Sequence, residues 1–100
     1  MTDGGSEAVL RPGGKIDESN WQAFADDLTR TIAEAAASNV PVVRVDLSDV
    51  PYMSSRGLRA LTLARKAADA KVDIVLSAAN ARLREIFAIS RYDKIFRIVD

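Results

Sequence analysis

Between residues 21 and 35 the apolar positions form one stripe. Trp21, Phe24, Leu28, Ile32 and Ala35 recur three or four residues apart, with Asp26, Asp27, Arg30 and Glu34 between them. That spacing matches the turn of an α-helix, so a helix is expected from Ser19 or Asn20, both good N-cap types, to about Ser38 and Asn39. A Trp and a Phe on such a stripe read as core residues. The period then changes to two: Val43, Val45 and Leu47 share one face and Val42, Arg44 and Asp46 the other, which predicts a strand over Val40 to Leu47. Helical spacing returns with Leu58, Leu61, Ala64 and Ala68. Val72 to Leu76 reads as another strand, Asn80 to Ser90 as a third helix with Leu83, Ile86 and Phe87 inward, and Ile95 to Val99 as a last strand after a turn at Arg91 to Asp93.

The start of the chain is sparser. Residues 1 to 7 are expected to be a flexible terminus, because Met1 to Ser6 contain little to bury, and a single domain is expected over 8 to 100. Ala8 to Leu10 reads as a short edge strand, since Pro12 has no N–H to donate to a ladder. Gly13 and Gly14 permit a sharp change of direction, and Lys15 to Asp17 suggests a second brief extended piece. Strands alternating with single helices imply right-handed crossovers. The expected fold is therefore α/β, with a central mixed, mostly parallel sheet of four or five strands and helices packed against it.

Composition narrows the chemistry. One hundred residues, 48% hydrophobic and 28% charged, suit one folded domain rather than a disordered chain. Cysteine and histidine are both absent, which removes disulfides, thiolate nucleophiles, Cys/His zinc sites and every imidazole-based triad. Asp46 and Asp49 alone are too few ligands to argue for a metal, and Asp26–Asp27 reads as a solvated helix face. Neither glycine pair belongs to a phosphate-binding loop. Neither catalytic residues, nor a cofactor, nor a metal are expected. There is no charged leader with an apolar stretch and no run of about 18 apolar residues, so a cytoplasmic protein without membrane insertion is expected. Residues 1 to 50 carry four bases against nine acids and residues 51 to 100 ten bases against five acids, so a charge of −5 faces one of +5. Such asymmetry steers association with a partner, or simply solvates two faces; without an overall basic excess it does not support nucleic-acid binding.

The segment with the most chemistry is Tyr52-Met53-Ser54-Ser55-Arg56-Gly57, between a strand end and a helix start. In open α/β sheets functional sites collect at that edge. A phosphate on a serine there would meet unpaired backbone N–H groups and the positive end of the helix dipole, with Arg56 or Arg59 in reach. The same position is explained without phosphate if Ser54 or Ser55 is the N-cap, worth about 1 kcal/mol.

The stretch Asp46-Leu47-Ser48-Asp49-Val50-Pro51-Tyr52-Met53-Ser54-Ser55-Arg56-Gly57-Leu58 resembles the signature of the STAS domain found in bacterial anti-sigma factor antagonists. There, a strand ending in Asp-Leu-Ser leads to an aromatic, an aliphatic, a serine pair and Gly-Leu. Gly14-Lys15-Ile16-Asp17 is similar to the family's Gly-x-x-Asp turn, and Asn80 to Phe96 to its closing helix and strand, so the likeness spans roughly residues 8 to 99. Many members have Asp-Ser-Ser-Gly where this chain has Ser54-Ser55-Arg56-Gly57.

The resemblance implies a phosphorylation-gated switch in transcription regulation. Its partners would be a GHKL-type serine kinase that doubles as an anti-sigma factor and a PP2C-type phosphatase that reverses the modification. Alignment to Gly57 puts the phosphoacceptor at Ser55, with Ser54 and Gly57 supporting the helix start. Asp17, Tyr52, Met53, Ser54, Arg56 and Arg59 are the expected partner-binding residues. A second reading is a constitutive interaction or scaffold module, stressosome-like or transporter-associated, in which both serines only cap the helix. An enzyme or small-ligand binder is a third, disfavoured by the missing His, Cys and phosphate loop.

Overall fold

The computed structural model describes residues 7–100, and the expectation for Met1 to Ser6 lies outside them. Four strands and three helices alternate: β1 (Glu7–Leu10), α1 (Trp21–Ala37), β2 (Val42–Asp46), α2 (Ser55–Ala68), β3 (Asp73–Ser77), α3 (Ala81–Ile89) and β4 (Arg97–Val99), with one 3₁₀ turn at Tyr92–Lys94. The strands lie in the order β1-β2-β3-β4 and all pair in parallel. Glu7 already opens β1, opposite Val42. The extended piece expected at Lys15 to Asp17 contracts to one residue, Ile16, bridged in parallel to Met53. The strand count among the described residues is thus four, without an antiparallel member.

The pattern of one stripe per helix is what drives this packing. Phe24, Leu28, Ile32 and Ala35 are buried along α1, and Ala60, Leu61, Ala64 and Ala68 along α2. They meet Val43, Val45, Ile74 and Leu76 from the sheet, with Leu83 and Phe87 from α3 and Phe96 ahead of β4. Burying one such large side chain stabilises by about 1.5–3 kcal/mol. Leu58 and Ile86, expected inward, are only half-buried at the margin of this core.

Strand ends differ from expectation for local reasons. Val40 donates its N–H to the Ala35 carbonyl at 2.8 Å and Pro41 has none to give, so β2 begins at Val42. The last strand begins at Arg97 rather than Ile95, because the 3₁₀ turn keeps the chain coiled until Phe96 N–H reaches the Tyr92 carbonyl at 2.8 Å.

Sequential strand order has a geometric consequence. Right-handed crossovers between neighbouring strands all fall on the same side, so the helices cover one sheet face. The other face carries Glu7, Val9, Arg44, Asp73 and Arg97, and it is laced by ion pairs: Arg44–Glu7 at 3.0 Å, Arg11–Asp46 at 3.1 Å and Arg97–Asp73 at 2.6 Å. Exposed pairs such as Arg97–Asp73 contribute about 0–1 kcal/mol each; Asp46 is itself buried, as is Val75 on the same face.

Candidate functional site

The C-terminal ends of β1 and β2 lead into two loops that run side by side. Asp46 closes β2 and its carboxylate accepts the Ser48 N–H at 2.9 Å, starting a tight turn that returns Val50 N–H to the Leu47 carbonyl. The hydrogen bonds from Ser48, reinforced by the Arg11 guanidinium, lower the Asp46 pKa to about 2. The following segment is held from both sides. Gly14 donates to Asp49, Ile16 donates to Tyr52, and Ser54 donates back to Ile16 at 2.8 Å. From the opposite flank the Asn80 side-chain amide donates to the Pro51 carbonyl at 3.2 Å, while its oxygen caps α3 by accepting Leu83 N–H.

This clamp decides where each serine goes. Ser54 sits in extended backbone, 8% exposed, and its Oγ accepts the Arg56 N–H at 3.2 Å, so it is the N-cap of α2. Ser55 is the first helical residue and is exposed. Its hydroxyl therefore stands at the helix entrance, where unpaired N–H groups and the dipole favour added negative charge. Gly57 is buried one turn in, and a Cβ there would lie 2.3 Å from Met53 Cγ and 2.9 Å from Ile16 Cγ2. The glycine is required by close approach, which lets Met53 and Ile16 pass beneath the helix.

The expected partner-binding residues separate into two groups. Tyr52, Arg56 and Arg59 are exposed, the two arginines beside Ser55. Met53 is not: at 1% exposure it is a core residue under Gly57, which corrects its expected place on the surface. Ser54 is likewise turned inward by its capping bond. Asp17 is half-buried, next to the Ile16 bridge. Its carboxylate accepts the Ser19 hydroxyl at 2.7 Å and the Ser19 N–H at 2.9 Å, which hold its pKa below the usual carboxylate range, and its carbonyl accepts Trp21 N–H at the start of α1.

Three residues join this surface that sequence patterning did not single out. Trp21 is half-buried rather than central to the core, and the Arg56 guanidinium lies 5.7 Å from its ring centroid. Trp21, Ser55, Arg56 and Arg59 line one open hollow. Across the loop Arg82 lies 5.5 Å from the Tyr52 ring centroid, and Asn80 supplies the second anchor. These pairings join positions 29 to 35 residues apart, which no local period reports.

The site offers a hydroxyl, a helix entrance and cations. No set of three or more His, Cys, Asp or Glu side chains that could hold a metal occurs among the described residues, and no helix among them is long and apolar enough to cross a membrane. Among solved structures the fold is similar to an anti-sigma factor antagonist from Mycobacterium paratuberculosis (22% identity, TM-score 0.78, covering 98% of this chain and 80% of that one). It is also similar to the STAS domain of a SulP transporter from Vibrio cholerae (15% identity, TM-score 0.72, covering 95% and 73%). A third likeness is to the Bacillus cell fate determinant SpoIIAA in its phosphorylated form (14% identity, TM-score 0.66, covering 100% and 88%). The sequence itself matches the family model for the STAS domain over residues 2–100. This chain belongs to the STAS domain family.

Proposed function

We propose that this protein is an anti-sigma factor antagonist, a non-catalytic module that occupies a GHKL-type serine kinase acting as anti-sigma factor while Ser55 is unmodified. Phosphorylation of Ser55 releases the partner, and a PP2C-type phosphatase resets the module. The observation that carries this reading is the division of labour between neighbours: Ser54 is consumed as the cap, whereas Ser55 is exposed at the entrance of α2. SpoIIAA, which shares the fold, is known in a phosphorylated form, and the M. paratuberculosis protein is an anti-sigma factor antagonist.

The gate needs no refolding. A phosphate brings about −1.5 to −2 charge into a surface made for close contact. Burying it without a matched cation on the partner costs several kcal/mol, while about 1.4 kcal/mol already weakens binding tenfold.

Incubating the protein with the candidate kinase and ATP, followed by intact-mass measurement, tests the assignment. One phosphate adduct is expected on the wild type and none on Ser55→Ala. Calorimetry should show Ser55→Ala binding the kinase like the wild type and Ser55→Asp binding at least tenfold more weakly; equal affinities for all three would refute the gate. The likeness to the SulP transporter domain favours one other reading, a constitutive interaction module. It predicts no adduct with any cognate kinase.

A further inference from the structure

The hollow beside Ser55 contains an arginine that is already engaged. Arg56 follows the serine directly, yet its guanidinium lies 5.7 Å from the Trp21 ring centroid, the arrangement of a cation–π pair. The ring gives this long, flexible side chain a resting place over Trp21. Arg59 stands four residues beyond Ser55 on the same helix face and is exposed. An anion at the first position of such a pair and a cation at the second is the favourable order along a helix. All four side chains line one depression.

Resting on the assignment of Ser55 as phosphoacceptor, we propose that Arg56 is the residue that reads the modification: a phosphate on Ser55 draws its guanidinium off Trp21 and pairs with it and with Arg59. The competition is unequal. A ring face holds an exposed guanidinium weakly, whereas a phosphate dianion takes charge-assisted, bidentate hydrogen bonds from it. Phosphorylation thereby removes two cations from the docking surface at the moment it adds an anion. A partner that presents carboxylates to Arg56 and Arg59 loses both attractions together, which is the partner chemistry this site fits. Trp21, left uncovered, becomes a new exposed apolar element at the entrance of α1.

Trp21 is the one tryptophan of the chain, which makes the rearrangement measurable. The full chain is prepared with phosphoserine at position 55 by genetic-code expansion, so no kinase is needed, and its emission is compared with the unmodified chain at pH 7.5. A shifted emission and increased acrylamide quenching are expected in the phosphorylated chain. Both differences should vanish when the pair is remade in the Arg56→Ala background, and the Arg56 and Arg59 Nε–H resonances should move downfield only in the phosphorylated wild type. Identical emission with and without phosphate overturns the proposal, as does a difference of equal size in Arg56→Ala. Failure of the kinase to label Ser55 would instead sink the antagonist assignment, and the two failures are read in separate experiments.

Discussion

Ser54 and Ser55 are joined by one peptide bond and live in different parts of the molecule. On the N-terminal side, the loop from Ser48 to Ser54 is pinned by backbone bonds to Gly14 and Ile16, by the Asn80 amide, and by Met53 inserted under Gly57. On the C-terminal side, the first turn of α2 presents Ser55, Arg56 and Arg59 to solvent. The comparison shows how a fold exposes a side chain without loosening the backbone that carries it. Rigidity is concentrated one residue upstream, and the exposed turn inherits its position. A surface of this kind can change charge while its geometry stays fixed.

The contrast is broken most severely at Gly57. A methyl group there must displace Met53 or Ile16, so Gly57→Ala should lower stability by about 1–3 kcal/mol in denaturant unfolding, despite a gain of about 1 kcal/mol in helix propensity. Ser54→Ala removes the cap and should cost about 1 kcal/mol in the same measurement. The pinned side also has an acid limit. Asp46 has a pKa near 2 when folded against an ordinary value of 3.8, so its stabilising contribution is complete above about pH 4 and is lost as pH falls toward 2. Thermal unfolding followed across that window should fall more steeply for the wild type than for Asp46→Asn. Ser55→Ala should be the quietest change, within about 0.5 kcal/mol of wild type, because the side chain is exposed. A loss as large as that of Ser54→Ala would place Ser55 with the clamp and erase the distinction between the two residues.

Much of the scaffold was legible because it rests on period alone. The stripe Phe24, Leu28, Ile32, Ala35 and the alternation Val43, Val45, Leu47 each specify an element and its buried face. The signature around Ser55 marked the segment where β2 hands over to α2. What patterning misplaced was Met53, and what it left out was the second contact of Trp21; both depend on contacts across the chain. Met53 looks like a loop residue until the single bridge to Ile16 draws it beneath a glycine. Trp21 begins the core stripe and packs against the core at its margin, while its ring also meets Arg56. Alternation also does not show that the opposite sheet face carries no helix; that follows from strand order and crossover hand, which are properties of the assembled chain.

The one-residue bridge between Ile16 and Met53 carries a consequence for how this serine is recognised. It brings the entrances of two helices together, so Trp21 and Arg56 become neighbours although 35 positions separate them. A synthetic peptide spanning 48–60 would contain the Ser55 hydroxyl and almost none of its surroundings. On the proposal that Ser55 is phosphorylated, a kinase would read an assembled three-dimensional address rather than a linear consensus, and denaturing the substrate would erase the address while leaving every letter of it intact.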